Sequence, residues 1–375
     1  SSIKFPLLVG GGIIVLALLI ALGIFLLRQP TEDDLPIQAN NPLPNSNQPI
    51  GAVVFDDFNE LVDNATITIS GIPIPPAGKH FEVWFLGQGG ELKLNAGPVK
   101  FTGQNGQLIF SDSNGTNLLG QYDEMMVTVE PDNDPNPDQP SQEVAASSVF
   151  PPLALVHIRH LLVSIGMTPN GTALIQGLWD TADTIDTSVI ELREAFNDGD
   201  EESLRLKNEE IINQLVGDEN NQLYKDWNGD GEINDPNDGF GMLANGTEQG
   251  YIPLTTSHTE FAIDAPDATL GIMQSGKDII VCLQNMEGWS EQLLELALKL
   301  QDMPYGTGME STIAEMEHLS SLLLYGEDAN SNNRIEPILG EGGADTAYFA
   351  TYSISQMPIF PGGKRMPPSG HTTQP

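Results

Sequence analysis

Residues 226–238 read DWNGDGEINDPND, and residues 328–337 read DANSNNRIEP. In the first stretch oxygen-bearing side chains fall at alternate positions: Asp226, Asn228, Asp230 and Asn234, with Asp235 and Asp238 close behind. Gly231 stands sixth and Ile233 eighth. Calcium takes six to eight oxygen ligands at flexible distances. A twelve-residue wrap supplies them from positions one, three, five, seven (a carbonyl), nine and twelve, with glycine at six for the sharp turn. Position seven is Glu232, whose carbonyl is the candidate donor, and position twelve is Asn237, where a bidentate glutamate would normally close the shell. The expected calcium ligands are therefore Asp226, Asn228, Asp230, Glu232, Asn234, Asp235 and Asp238.

The second stretch repeats the first at an offset of 102 residues. Asp328, Asn330 and Asn332 match Asp226, Asn228 and Asp230, and Ile335 matches Ile233. Asn333 replaces Gly231, and asparagine is the next-best residue for a left-handed backbone position. A second, weaker cation set follows: Asp328, Asn330, Asn332, Arg334 through its carbonyl, and Glu336, with Glu341 able to reach back. This loop has fewer carboxylates and carries Leu339 at position twelve. The 226–238 segment resembles the calcium loops of dockerin modules and the EF-hand type, in that segment alone. Shells this incomplete imply the weak affinities of extracellular modules.

Helical patterns flank both loops. LALVHIRHLLVSI, GTALIQGLWDTADTIDTSVIELREAFN and EESLRLKNEEIINQLVG place apolar residues three and four apart, as do DIIVCLQNMEGWSEQLLELALKL and MESTIAEMEHLSSLLLY later. His157 and His258 lie 101 residues apart. The expectation is a duplicated module of three helices and an Asx-rich loop, over residues 151–250 and 251–356, packed as one pseudo-symmetric bundle.

Residues 51–150 have a different texture. GAVVF, ATITIS, FEVWFL, ELKLN, QLIFS, MMVTVEP and EVAASSVF are short, β-branched or aromatic, and separated by Gly, Asn and Pro turns, which predicts a small antiparallel sandwich. HFEVWFLGQGGELKLNAGPV, QLIFSDSNGTNLLGQYDEMMVTVEP and the Pro/Asp-rich loop after it resemble the extracytoplasmic C-terminal domain of anti-sigma-K factors, over residues 79–149. The resemblance implies a sandwich outside the membrane. Regulation of the anti-sigma kind would need a cytoplasmic sigma-binding part, which the SSIK preceding the apolar run does not supply.

Residues 5–27 are continuously apolar, long enough for a bilayer-spanning helix, so residues 1–28 are expected to anchor the chain in a cell membrane. Lys4 on one side and TEDD on the other point the bulk outward. Residues 29–50 read as a Pro/Asn-rich spacer and residues 357–375 as an irregular tail. The expected fold class is thus multidomain: an N-terminal transmembrane helix, a small antiparallel β-sandwich, then an all-α bundle of two repeated helical modules.

Charge narrows the partners. Fifty-two Asp and Glu face 15 Lys and Arg, a net charge of −37, which argues against nucleic acid and suits a cation-binding ectodomain. The single cysteine, Cys282, allows no disulfide within the chain. GIMQSGKD (271–278) has phosphate-loop spacing, but Asp278 replaces the magnesium-ligating Ser or Thr and no strand precedes it. No HExxH or GxSxG motif occurs. Glu201/Glu202 and Glu209/Glu210 read as solvated helix faces. Asn64, Asn114, Asn170 and Asn245 head Asn-x-Thr sequons, candidate acceptors for glycans. His157 and His160, one turn apart, could bind a metal with His258, Glu260 or His318. The expected function is a non-enzymatic, calcium-stabilised, membrane-anchored component of the cell envelope, engaged in structure, assembly or adhesion with protein partners or copies of itself, or an accessory subunit of a membrane complex. The alternatives are an anti-sigma-like transmembrane regulator and a metal- or haem-handling helical bundle.

Overall fold

A computed structural model describes residues 48–57 and 61–371. It corrects the expected fold class on two counts. Among the described residues no helix is long and apolar enough to cross a membrane, and residues 5–27, where a span was expected, lie outside them. The small sandwich is replaced by a single antiparallel sheet of nine strands.

Eight strands come from the N-terminal half: β1 (Gly51–Asp56), β2 (Asn64–Ser70), β3 (Lys79–Gly87), β4 (Leu92–Pro98), β5 (Lys100–Thr102), β6 (Asn105–Ser111), β7 (Glu124–Pro131) and β8 (Val144–Val149). The ninth, β9 (Met357–Pro361), comes from the tail expected to be irregular. The order is β4-β3-β7-β8-β9-β1-β2-β6-β5, so β9 fastens two four-stranded halves together. Its pairing is short: Val53 faces Met357 on one side, and Ser147 faces Phe360 on the other. Proline cannot donate to a ladder, so MPIFP reads as a loop or an edge. The sheet edges are β4 and β5, which a single residue joins: Val99, whose N–H donates to the Phe81 carbonyl at 2.9 Å. The sheet therefore nearly closes into a barrel, which leaves little free edge for aggregation. Period-two burial drives it: Val53 and Phe55 on β1, and Ala65, Ile67 and Ile69 on β2, all point inward. Phe55 packs on Phe85 and Phe150 with ring centroids 6.1 and 6.0 Å apart.

Among the described residues eight helices follow in chain order. The short α1 (Leu118–Gln121) lies within the barrel segment; then come α2 (Pro152–Leu162), α3 (Leu174–Asp198), α4 (Glu201–Val216), α5 (Tyr251–Asp264), α6 (Leu270–Asp302), α7 (Glu310–Tyr325) and α8 (Ala344–Ile354). Three helices, α2–α4, precede the first Asx-rich loop, and three, α5–α7, precede the second. Helix α2 packs on α5, α3 on α4, α6 on α7, and α8 lies between α6 and β1. One hydrophobic core runs from barrel to helices. At the crossing of α3 and α5 a glycine is required: a Cβ on Gly177 would come within 2.1 Å of the buried Tyr251 ring.

Two contacts fix α2. The N–H groups of Leu153 and Ala154 donate to the two carboxylate oxygens of Asp267 at 2.8 and 3.1 Å, capping its first turn from the α5–α6 connection. Near its other end the Arg159 guanidinium donates to the carbonyls of Leu119 and Tyr122 in the barrel segment. The face of α2 that meets α5 is thus set from both sides.

Candidate metal centres

Gly217, at a positive φ of 72°, closes α4 and releases the chain into the first loop. The loop wraps around its own first residue. Asp226 accepts the N–H of Gly229 at 2.5 Å and of Gly231 at 2.9 Å; Asn228 Oδ1 accepts from Asp230, and Asp230 Oδ1 from Glu232, each at 2.8 Å. These amides hold the Asp230 carboxyl below the usual carboxylate range, with the Glu232 N–H as the largest cause. Asp230 Oδ2 faces the side-chain amides of Asn228 and Asn234 at 3.1 and 3.5 Å.

The structure thus gathers Asp226, Asn228, Asp230 and Asn234, and it places Asp235 and Asp238 elsewhere. Burial raises the Asp235 carboxyl, which lies beside the Tyr224 hydroxyl. Asp238 accepts from Tyr251 Oη at 2.5 Å and from the Phe240 N–H. Asn237 donates to Thr181 on α3, 2.6 Å away.

Glu209 occupies the role that the sequence left open. It sits on α4 with no solvent exposure, contrary to the expectation of a solvated Glu209/Glu210 face; Glu210 is buried too and pairs with Lys207. One oxygen of Glu209 accepts the N–H of Trp227 and Asn228 at 2.8 and 2.9 Å, and the other accepts the N–H and the side-chain amide of Asn234 at 2.7 and 3.2 Å. The buried Asn213 side chain bridges the same loop, donating to the Lys225 and Asn234 carbonyls. In sequence, the signal for Glu209 is faint: an acid two residues before the apolar pair Ile211–Ile212.

The second loop has the same wrap. Asp328 accepts the N–H of Asn332 at 2.9 Å and of Asn333 at 2.6 Å, and Asn330 Oδ1 accepts from Asn332 at 3.1 Å. Positions four and six are left-handed in both loops: Gly229 and Gly231 (φ 83° and 95°) in the first, Ser331 and Asn333 (φ 61° and 65°) in the second. Glu341 does reach back. Fully buried, it accepts the N–H of Asn330 at 3.0 Å and of Glu336 at 3.2 Å. Those are positions three and nine, the counterparts of Asn228 and Asn234, which Glu209 holds in the first loop. Glu336 receives the side-chain amides of Asn330 and Asn332, while Arg334 is exposed.

A third cluster lies between α2 and α5. His258 Nδ1 is 3.2 Å from His157 Nδ1 and 3.1 Å from His160 Nδ1. His258 is buried, and His157 and His160 are half-buried. Burial, then the neighbouring imidazoles, push His258 down to about 4; burial likewise lowers His157 and His160. Glu260 and His318 are exposed on α5 and α7 and take no part.

Other sequence features resolve as structure. GIMQSGKD forms the first turns of α6, so its amides serve the helix rather than a phosphate. Cys282 is fully buried, and burial pushes its thiol up to about 12. Asn245 is buried, accepting the Glu219 N–H at 2.7 Å and donating to Asp218, so a sugar there would have to displace those contacts. No family model matches the chain, and no curated protein and no solved structure matches it.

Proposed function

We propose that this chain is a calcium-stabilised, non-enzymatic module that works by binding or assembling with other protein surfaces. The observation carrying this reading is the repeated wrap: two loops 102 residues apart present matching turns, matching left-handed positions and the same two amides to a buried glutamate. Loops held this way keep their oxygen-bearing side chains together at little further entropic cost when a cation arrives. Asp226, half-buried, and Asp230, exposed, give the first loop two carboxylates, and a net charge of −37 favours cation uptake. With few carboxylates and no bidentate glutamate at position twelve, the affinity belongs on the order of 10⁻⁴–10⁻³ M.

Calcium bound to the folded chain adds to its stability by mass action, about 1.4 kcal/mol at ten times Kd. For a chain of this size that is a rise in melting temperature of roughly a few degrees. Thermal unfolding of the full chain with and without millimolar calcium tests this, alongside Asp226→Ala/Asp230→Ala. The expected result is a calcium-dependent rise that the double variant loses. No calcium effect on either protein would leave the two loops as turns alone.

A further inference from the structure

We propose that His157, His160 and His258 form a binding site for a divalent transition ion of the zinc class, with an open fourth position. It is independent of the calcium reading: the site lies elsewhere in the fold, and its donors suit a different class of cation. Among the described residues these three are the only group of three or more histidine, cysteine or acidic side chains whose ligand atoms all lie within 4.8 Å of one another.

Two of the three nitrogen separations match such a shell. Zinc–nitrogen bonds of about 2.0–2.1 Å in tetrahedral geometry put neighbouring nitrogens roughly 3.3–3.4 Å apart. The two recorded separations, 3.2 and 3.1 Å, need only slight opening. Hydrogen bonding within the trio is a poorer explanation. A ring nitrogen carries one in-plane proton or one lone pair, so His258 Nδ1 makes one good hydrogen bond. The other imidazole then faces it without a complementary partner. A metal ion takes all three lone pairs at once.

The environment selects the ion. Among the described residues no acidic side chain hydrogen-bonds to the trio. Three neutral imidazoles without a carboxylate suit zinc, copper, nickel or cobalt and disfavour calcium or magnesium. Folding also prepares the site: Asp267 and Arg159 lock α2, while His258 lies in the α5 face packed against it. The Phe261 ring stands 5.1 Å from His157 and 5.7 Å from His258, covering one flank. Next to it is an open groove of about 380 Å³ lined by Leu153, Val156, His157, Phe261 and Asp264. His157 belongs to both, so the groove is the approach for water at the fourth position.

The test is titration of the full chain with Co²⁺, read by its visible ligand-field absorption, and then with Zn²⁺ in competition. The expected result is one equivalent of tetrahedral Co²⁺, displaced by Zn²⁺ and untouched by millimolar Ca²⁺. His157→Ala and His160→Ala, both on half-buried positions, should each weaken binding at least 100-fold while the far-ultraviolet circular dichroism stays native. His258→Ala should do the same if it folds. His318→Ala, at an exposed position on α7, should bind as the parent does. The proposal fails if the parent takes up no stoichiometric Co²⁺. It fails equally if folded His157→Ala and His160→Ala bind as tightly as the parent, or if His318→Ala removes the signal.

Discussion

The two Asx-rich loops share a backbone and differ in how they are held. Residues 226–234 and 328–336 turn at the same places, yet the carboxylate that gathers positions three and nine comes from α4, before the loop, in one case and from beyond the loop in the other. Glu209 serves four donors and Glu341 two. The backbone course of such a loop can therefore persist while its anchor moves along the chain. What has to persist is a buried acceptor between the amides of positions three and nine.

The largest test of that statement is to remove the anchors. A buried amide that loses its partner costs about 1–3 kcal/mol, and hydrogen bonds to a charged group lie at the upper end. Glu209→Ala strands three backbone N–H groups and should destabilise the chain by roughly 3–5 kcal/mol in urea unfolding. Glu341→Ala strands two and should cost about 2–3 kcal/mol. Equal losses would mean that the loops are held by their flanking helices rather than by these acids.

Cation dependence separates the loops next. The first offers Asp226 and Asp230; the second offers Asp328 and Glu336, with Glu336 already receiving two side-chain amides. Asp226→Ala/Asp230→Ala should therefore abolish most of a calcium-induced stabilisation of about 1–2 kcal/mol, and Asp328→Ala/Asn330→Ala much less of it. Isothermal calcium titration of the two variants, compared with the parent, distinguishes one strong and one weak site from two equal ones. The reverse ranking would make Glu341 a cation ligand rather than a backbone anchor.

Local pattern made much of this legible. The alternation of Asp and Asn, the glycine at position six and the 102-residue offset are in the sequence, because a wrap of this kind is dictated by short-range hydrogen bonds. His157 and His258, 101 residues apart in the sequence, meet where α2 packs on α5. Long-range partners are another matter. Glu209 sits in a run, NEEIINQ, whose acids suggest water, and only the fold shows that the loop's amides return to cover it. Strand β9 was hidden because Pro358 and Pro361 forbid a regular ladder; it is accepted with only three pairs to β1 and two to β8. The two-layer sandwich failed on that same strand, since nothing local in residues 51–150 announces that a partner some 200 residues later will join the halves.

The smallest effect sharpens the comparison at the backbone. Position four is glycine in the first loop and serine in the second, both left-handed, at Gly229 and Ser331. An L-residue with a Cβ pays about 1–2 kcal/mol in that region, offset in part by the extra entropy glycine gives the unfolded chain. No neighbour lies within 4 Å of a Cβ built on Gly229 or Gly231, so conformation alone decides there. Ser331→Gly should therefore raise stability by about 0.5 kcal/mol, and Gly229→Ser should lower it by a similar amount. Asn333→Gly should change it by only a few tenths, because asparagine tolerates the left-handed region far better than serine. Denaturant midpoints of the three variants check the ranking. A loss of stability in Ser331→Gly would show that its side chain, and not its backbone, matters to the second loop.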